Sequence, residues 1–195
     1  MLKTFVATAG TAALLIAPAF AAAPGSVTGT VTASSLRTSA DLVVSLEAPG
    51  LKVTPPAAPV VVDQKDMHFV PHVLAIVKGG TVKFHNSDTV AHNVFSPEGQ
   101  YDLGTWQQNQ TKEHTFTKAG VYTQLCRLHP EMEGFVDVVD TPYFAVTGDD
   151  GHFEIKDVPP GTYTLRVWSE KLKATTQKIT VEGGKPTTVD VTLTK

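Results

Sequence analysis

A single cysteine, Cys126, in 195 residues leaves no partner within the chain for a disulfide and too few thiolates for a cysteine-rich zinc cage. Lysine and arginine total 16 against 19 acidic residues and form no basic run. With a formal net charge of −3, nucleic acid is excluded as a partner, and so is an anionic membrane surface. Amphipathic helical periodicity is also missing, which excludes a helical bundle. Beyond Phe20 no apolar run is long enough to cross a bilayer. No His-x-His pair, His-x-x-Glu motif or Ser-His-Asp pattern marks a catalytic centre, so the chain reads as a non-enzyme. Hydrophobic residues reach 42% and charged residues only 18%, which excludes a disordered chain.

What is present is strand and turn chemistry. Fifteen glycines, thirteen prolines and abundant valine and threonine favour an all-β protein. Residues 26–32, 41–47, 152–155 and 162–168 alternate apolar and polar. Apolar runs occur at 73–77, 81–84, 94–95, 121–125 and 135–139, punctuated by Gly79-Gly80 and Ala119-Gly120. The two N-terminal strands are too few to bury a core alone, so they need the C-terminal strands. The expected organisation is one β-sandwich from residues 24–48 and 141–195, with a second domain, 59–140, inserted in it.

The N-terminus is a separate object. Lys3 gives a basic start, Phe5 to Phe20 is apolar and alanine-rich, and Ala19-Phe20-Ala21 is a small-x-small cleavage site. Residues 1–21 therefore read as a secretory signal peptide, predicting a periplasmic or secreted protein with no membrane attachment after cleavage. In an oxidising compartment a lone Cys126 should be buried, paired between chains, or holding a metal.

The surrounding residues favour the metal. Cys126 is followed by His129 at +3 and Met132 at +6, on a loop between two predicted strands. His92, at the start of the 94–95 strand, is the candidate fourth ligand. One thiolate, two imidazoles and one thioether form a soft set suited to copper in both oxidation states, with no position left for substrate.

The stretch His92-Asn93-Val94, Gly120-Val121-Tyr122, Cys126-x-x-His129-Pro130-x-Met132-x-Gly134 resembles the cupredoxins, amicyanin most and plastocyanin more distantly. The resemblance covers about 60–140 and implies a Greek-key β-sandwich. It also implies one type 1 copper on His92, Cys126, His129 and Met132, with Asn93 bracing the ligand loop. It further implies that electrons pass through His129, ringed by an apolar patch that Pro130, Phe95 and Pro97 would supply. Ala91 and Arg127 depart from the pattern. Residues around Gly29, Asp150-Gly151 and Val158-Pro159-Pro160-Gly161 resemble a carboxypeptidase regulatory-like, or transthyretin-like, sandwich. The combination resembles bacterial periplasmic chains of the methylamine-utilisation type.

The function expected from these readings is single-electron transfer between redox proteins by a monomeric type 1 copper protein. The alternatives are a copper carrier or store without a redox partner, and a metal-free structural sandwich. His68 and His72 are spaced for a shared strand face and a second metal, though solvent exposure is the plainer reading. His85, His114 and His152 read as surface residues, and Trp106 and Trp168 as core or flanking residues.

Overall fold

The computed structural model describes residues 22–195, so the signal-peptide reading of residues 1–21 lies outside the described residues. Every regular element among them is a β-strand, seventeen in chain order. Two strands come first, β1 (Gly25–Thr32) and β2 (Val43–Glu47). Nine follow: β3 (Val60–Lys65), β4 (His68–Val70), β5 (Val73–Val77), β6 (Thr81–Asn86), β7 (His92–Ser96), β8 (Tyr101–Trp106), β9 (Thr111–Thr115), β10 (Gly120–Leu125) and β11 (Glu133–Val139). The chain closes with β12 (Phe144–Val146), β13 (His152–Val158), β14 (Gly161–Trp168), β15 (Thr175–Val181), β16 (Pro186–Thr188) and β17 (Val191–Thr192). Among the described residues no helix is long and apolar enough to cross a membrane.

The first two strands find their partners at the far end of the sequence. β1 pairs antiparallel with β13 and parallel with β16 and β17, while β2 sits between β12 and β14. Alternation along β1 and β14 buries Val27, Val31, Tyr163, Leu165 and Val167 in one core with Val44, Leu46, Phe153 and Ile155. The nine middle strands form two sheets of their own, β5-β11-β10-β7-β8 and β4-β3-β6-β9. Between them lie Val62, Phe84, Val94, Trp106, Phe116, Val136 and Val138, with Cys126 and Met132 in the same core.

A third cluster joins the two units, and strand periodicity explains it. β5 and β11 are buried on both faces. Ile76, Val136 and Val138 point into the middle core, while Val73, Ala75, Val77 and Val139 point the other way. There they meet Val43 of β2 and, at the margin, Phe144 and Trp168. Trp168 thus belongs to the joint between the sandwiches, its ring 5.5 Å from that of Phe135. Asp137, on the same face of β11, is buried and ion-pairs with Arg166 of β14 at 2.9 Å. Burial pushes its carboxyl above the usual range, and Arg166 only partly offsets this.

Strand β9 carries no apolar residue, and β8 alternates only over Tyr101–Gly104 before breaking off, so both escape a reading by periodicity. Each ends a sheet, so Asp102, Thr105, Lys112 and Glu113 meet solvent without loss of burial.

Candidate metal centre

The site is assembled where β7 and β10 run side by side. Phe95 pairs with Leu125, which brings His92, first residue of β7, beside Cys126, the residue that follows β10. The backbone N–H of Asn93 donates to Cys126 Sγ at 3.4 Å. The chain then turns, with the Met132 N–H donating to the His129 carbonyl at 2.9 Å before β11 begins. Pro130 lies within this turn, where its restricted φ favours a tight reversal.

The structure brings His92, Cys126 and His129 together, with ligand atoms of the three within 4.8 Å of one another. His92 Nδ1 lies 3.1 Å from His129 Nδ1, and Cys126 Sγ lies 3.7 Å from the same nitrogen. An ion bonded to nitrogen at about 2.0 Å and sulfur at about 2.3 Å in a trigonal arrangement holds its donors roughly 3.5 Å apart. The three side chains therefore fit a metal ion. Ordinary packing buries a lone cysteine among apolar groups but has no reason to aim two imidazole nitrogens at it. Met132 is buried in the same cluster as Cys126, 1% exposed. His92 is fully buried, whereas His129 is half-buried and so connects the cluster to the surface.

Asn93 ties the ligand loop to the strands. Its Oδ1 accepts from the Arg127 N–H at 3.3 Å, and its Nδ2 donates to Asp102 Oδ1 and the Gly104 carbonyl. Asp102 also takes the Arg127 side chain at 2.7 Å and the Gly104 N–H. The Arg127 guanidinium, with help from the Gly104 N–H and Asn93, holds the Asp102 carboxyl below the usual range. The charge next to the cysteine is thus neutralised. Arg127 also lies over the Phe95 ring, 4.1 Å from its centroid, so Phe95 is capped rather than presented bare. Pro97 and Pro130 are exposed, and so is Leu128, which sequence reasoning missed.

Asp88 was missed as well. Its Oδ2 lies 2.8 Å from His92 Nε2, on the ring edge opposite the cluster. Burial raises its carboxyl, but the Met67 N–H, the His92 ring and the Asp66 N–H outweigh that and hold it below the usual range. The spacing Asp88-x-x-x-His92 in a loop is the only trace of this contact in the sequence.

The other histidines separate from the site. His68 is exposed against the Asp66 carbonyl, and His72 pairs with Glu170 of the outer unit at 2.9 Å. His85 and His114 are not surface residues as expected but half-buried, whereas His152 is exposed. His114 is stacked on Tyr101 at 3.8 Å, and burial lowers its pKa. Among the described residues, His92, Cys126 and His129 are the one cluster of this kind.

Comparison with solved structures finds a purple cupredoxin from Nitrosopumilus maritimus, 26% identical, covering 41% of this chain and 99% of its own, with a TM-score of 0.38. A reduced form of amicyanin is 26% identical over 49% of this chain and 98% of its own, with a TM-score of 0.41. A copper-containing nitrite reductase from Thermus scotoductus SA-01 is 30% identical over 48% of this chain but only 25% of its own, with a TM-score of 0.41. No protein of curated function matches the chain. Residues 57–139 match the copper-binding proteins of the plastocyanin/azurin family, and residues 135–194 match the carboxypeptidase regulatory-like domain. The chain is therefore similar to the copper-binding proteins of the plastocyanin/azurin family over one stretch and to the carboxypeptidase regulatory-like domain over the other.

Proposed function

We propose that the chain is a periplasmic single-electron carrier with one type 1 copper held by His92, Cys126, His129 and Met132, and that it is not an enzyme. The observation that carries this reading is the convergence of His92 Nδ1, His129 Nδ1 and Cys126 Sγ, with Met132 buried in the same core as Cys126. Copper in such a soft set alternates between Cu(I) and Cu(II) and so supplies one electron at a time. The protein's own residues do the rest. Asn93 and Asp102 hold the ligand loop to the strands, and the apolar core excludes water from Cys126 and His92. His129, half-exposed, is the route to a redox partner, with Pro130, Pro97, Leu128 and the Arg127-capped Phe95 around it. Residues 1–21 supply the export signal, and the mature chain acts as a monomer.

The test is the visible spectrum of copper-loaded protein. An intense thiolate-to-Cu(II) band that bleaches on reduction is expected, and Cys126→Ser should abolish it while the circular dichroism stays that of the parent. A colourless parent with stoichiometric copper overturns the electron-carrier reading in favour of a copper carrier or store. A chain that binds no copper leaves a structural sandwich.

A further inference from the structure

We propose that Asp88 is a positioning residue for the metal centre, holding the His92 imidazole in the tautomer that offers Nδ1 to copper and favouring the oxidised ion. The inference rests on the copper reading above. It starts from the full engagement of one carboxylate beside a ligand histidine. The Asp88 side chain is only 14% exposed, yet both its oxygens are engaged. Oδ1 accepts the Asp66 N–H at 2.7 Å, and Oδ2 accepts the Met67 N–H at 2.9 Å and meets His92 Nε2 at 2.8 Å. The Asp88 N–H in turn donates to Oδ1 of the fully buried Asn86 at 2.9 Å.

The two backbone donors come from the turn between β3 and β4, where Asp66 and Met67 have φ of 54° and 56°. Left-handed backbone at two successive non-glycine residues, one of them a methionine, is uncommon. Here it points consecutive N–H groups at one carboxylate. The carboxylate is thus anchored from one sheet and the imidazole from the other, and the contact between them is set by the packing of both.

The chemistry follows from the imidazole. A carboxylate has only acceptor oxygens, so the hydrogen bond places the His92 proton on Nε2 and leaves the Nδ1 lone pair facing Cys126 and His129. A carboxylate behind a ligating histidine raises its basicity and fixes its ring. The negative charge one ring away from the ion also stabilises Cu(II) more than Cu(I).

Two variants separate charge from geometry. Asp88→Asn keeps an acceptor for Nε2–H but removes the charge, whereas Asp88→Ala removes both. In Asp88→Asn the ratio of Cu(II) to Cu(I) affinity should fall about tenfold, a rise in reduction potential of about 59 mV, with the thiolate band retained. In Asp88→Ala copper affinity itself should drop 10- to 100-fold. By NMR of the metal-free protein, the parent His92 should carry its proton on Nε2, shielded from exchange, and the Ala variant should lose that preference. Folded variants whose affinity ratio changes less than twofold, with the parent tautomer intact, overturn the proposal. A parent that takes up no copper overturns the copper reading instead, and the His92 tautomer in the metal-free protein still decides the role of Asp88.

Discussion

Arg166→Met is a direct probe of the joint between the two sandwiches. Asp137 is 1% exposed and its one ion-pair partner is the Arg166 guanidinium at 2.9 Å, on a side chain 22% exposed. At an effective dielectric of about 20, charges roughly 4 Å apart attract by about 4 kcal/mol. Removing one member of a buried pair costs about 3–5 kcal/mol, because the remaining charge keeps its desolvation penalty. Arg166 retains some solvent, so the lower figure of about 3 kcal/mol is expected near pH 7. The sign of the pH dependence follows from burial, which already raises the Asp137 carboxyl. A group raised in the folded state favours folding fully below its unfolded pKa, and that advantage is lost as pH rises through the folded value. Loss of Arg166 widens that window. The difference between variant and parent should therefore be largest at neutral pH and shrink as pH falls toward the ordinary carboxylate range. Urea unfolding at several pH values, followed by circular dichroism, measures it, and Asp137→Asn in the Arg166→Met background should restore more than half of the loss. A loss below about 0.5 kcal/mol at pH 7, or one independent of pH, refutes the reasoning.

Asn93→Ala should cost about 2 kcal/mol, because it leaves the Arg127 N–H without its acceptor and the Gly104 carbonyl without its side-chain donor. It should also weaken copper binding, and titration of apoprotein checks this against denaturant stability. Gly29→Ala should cost about 3 kcal/mol, since a Cβ there would lie 1.8 Å from the Val189 carbonyl oxygen, a backbone clash that no rotamer relieves. The damage falls in the outer core, so the copper spectrum of the folded fraction should match the parent. Asp102→Asn should flatten the acid side of the stability curve. The Arg127-lowered Asp102 carboxyl contributes stability above its unfolded pKa, which is lost as pH falls through the lower folded value. Unchanged acid unfolding in this variant would count against the Arg127–Asp102 pair.

Much of the fold was legible from local pattern. Alternation in Gly25–Thr32 and Gly161–Trp168 carries one face of each strand into a core, and those strands were read directly. Tyr101–Trp106 and Thr111–Thr115 were not, because edge strands place polar residues in water and leave at most a short periodic signature. Trp168 reads as a core or flanking tryptophan from its strand, but its face is covered by the other sandwich, a matter that no local window contains.

The metal centre divides the same way. Cys126, His129 and Met132 lie within one short loop, so their spacing alone brings their chemistry into view, and His92 follows from its place at the start of a neighbouring strand. Asp88 acts on His92 from a loop, held by N–H groups of Asp66 and Met67 that only the packing of two sheets brings within reach. Arg127 reads in sequence as a bare charge beside the metal, yet Asp102, from a strand with only a short pattern, neutralises it and Phe95 lies beneath it. The sequence by itself determined the strands with alternating faces and the placing of Cys126, His129 and Met132 in one loop, because both depend on spacings of a few residues. Tertiary structure alone decided which carboxylate meets which ring or guanidinium and how the sandwiches join, because those contacts pair residues from separate strands and loops.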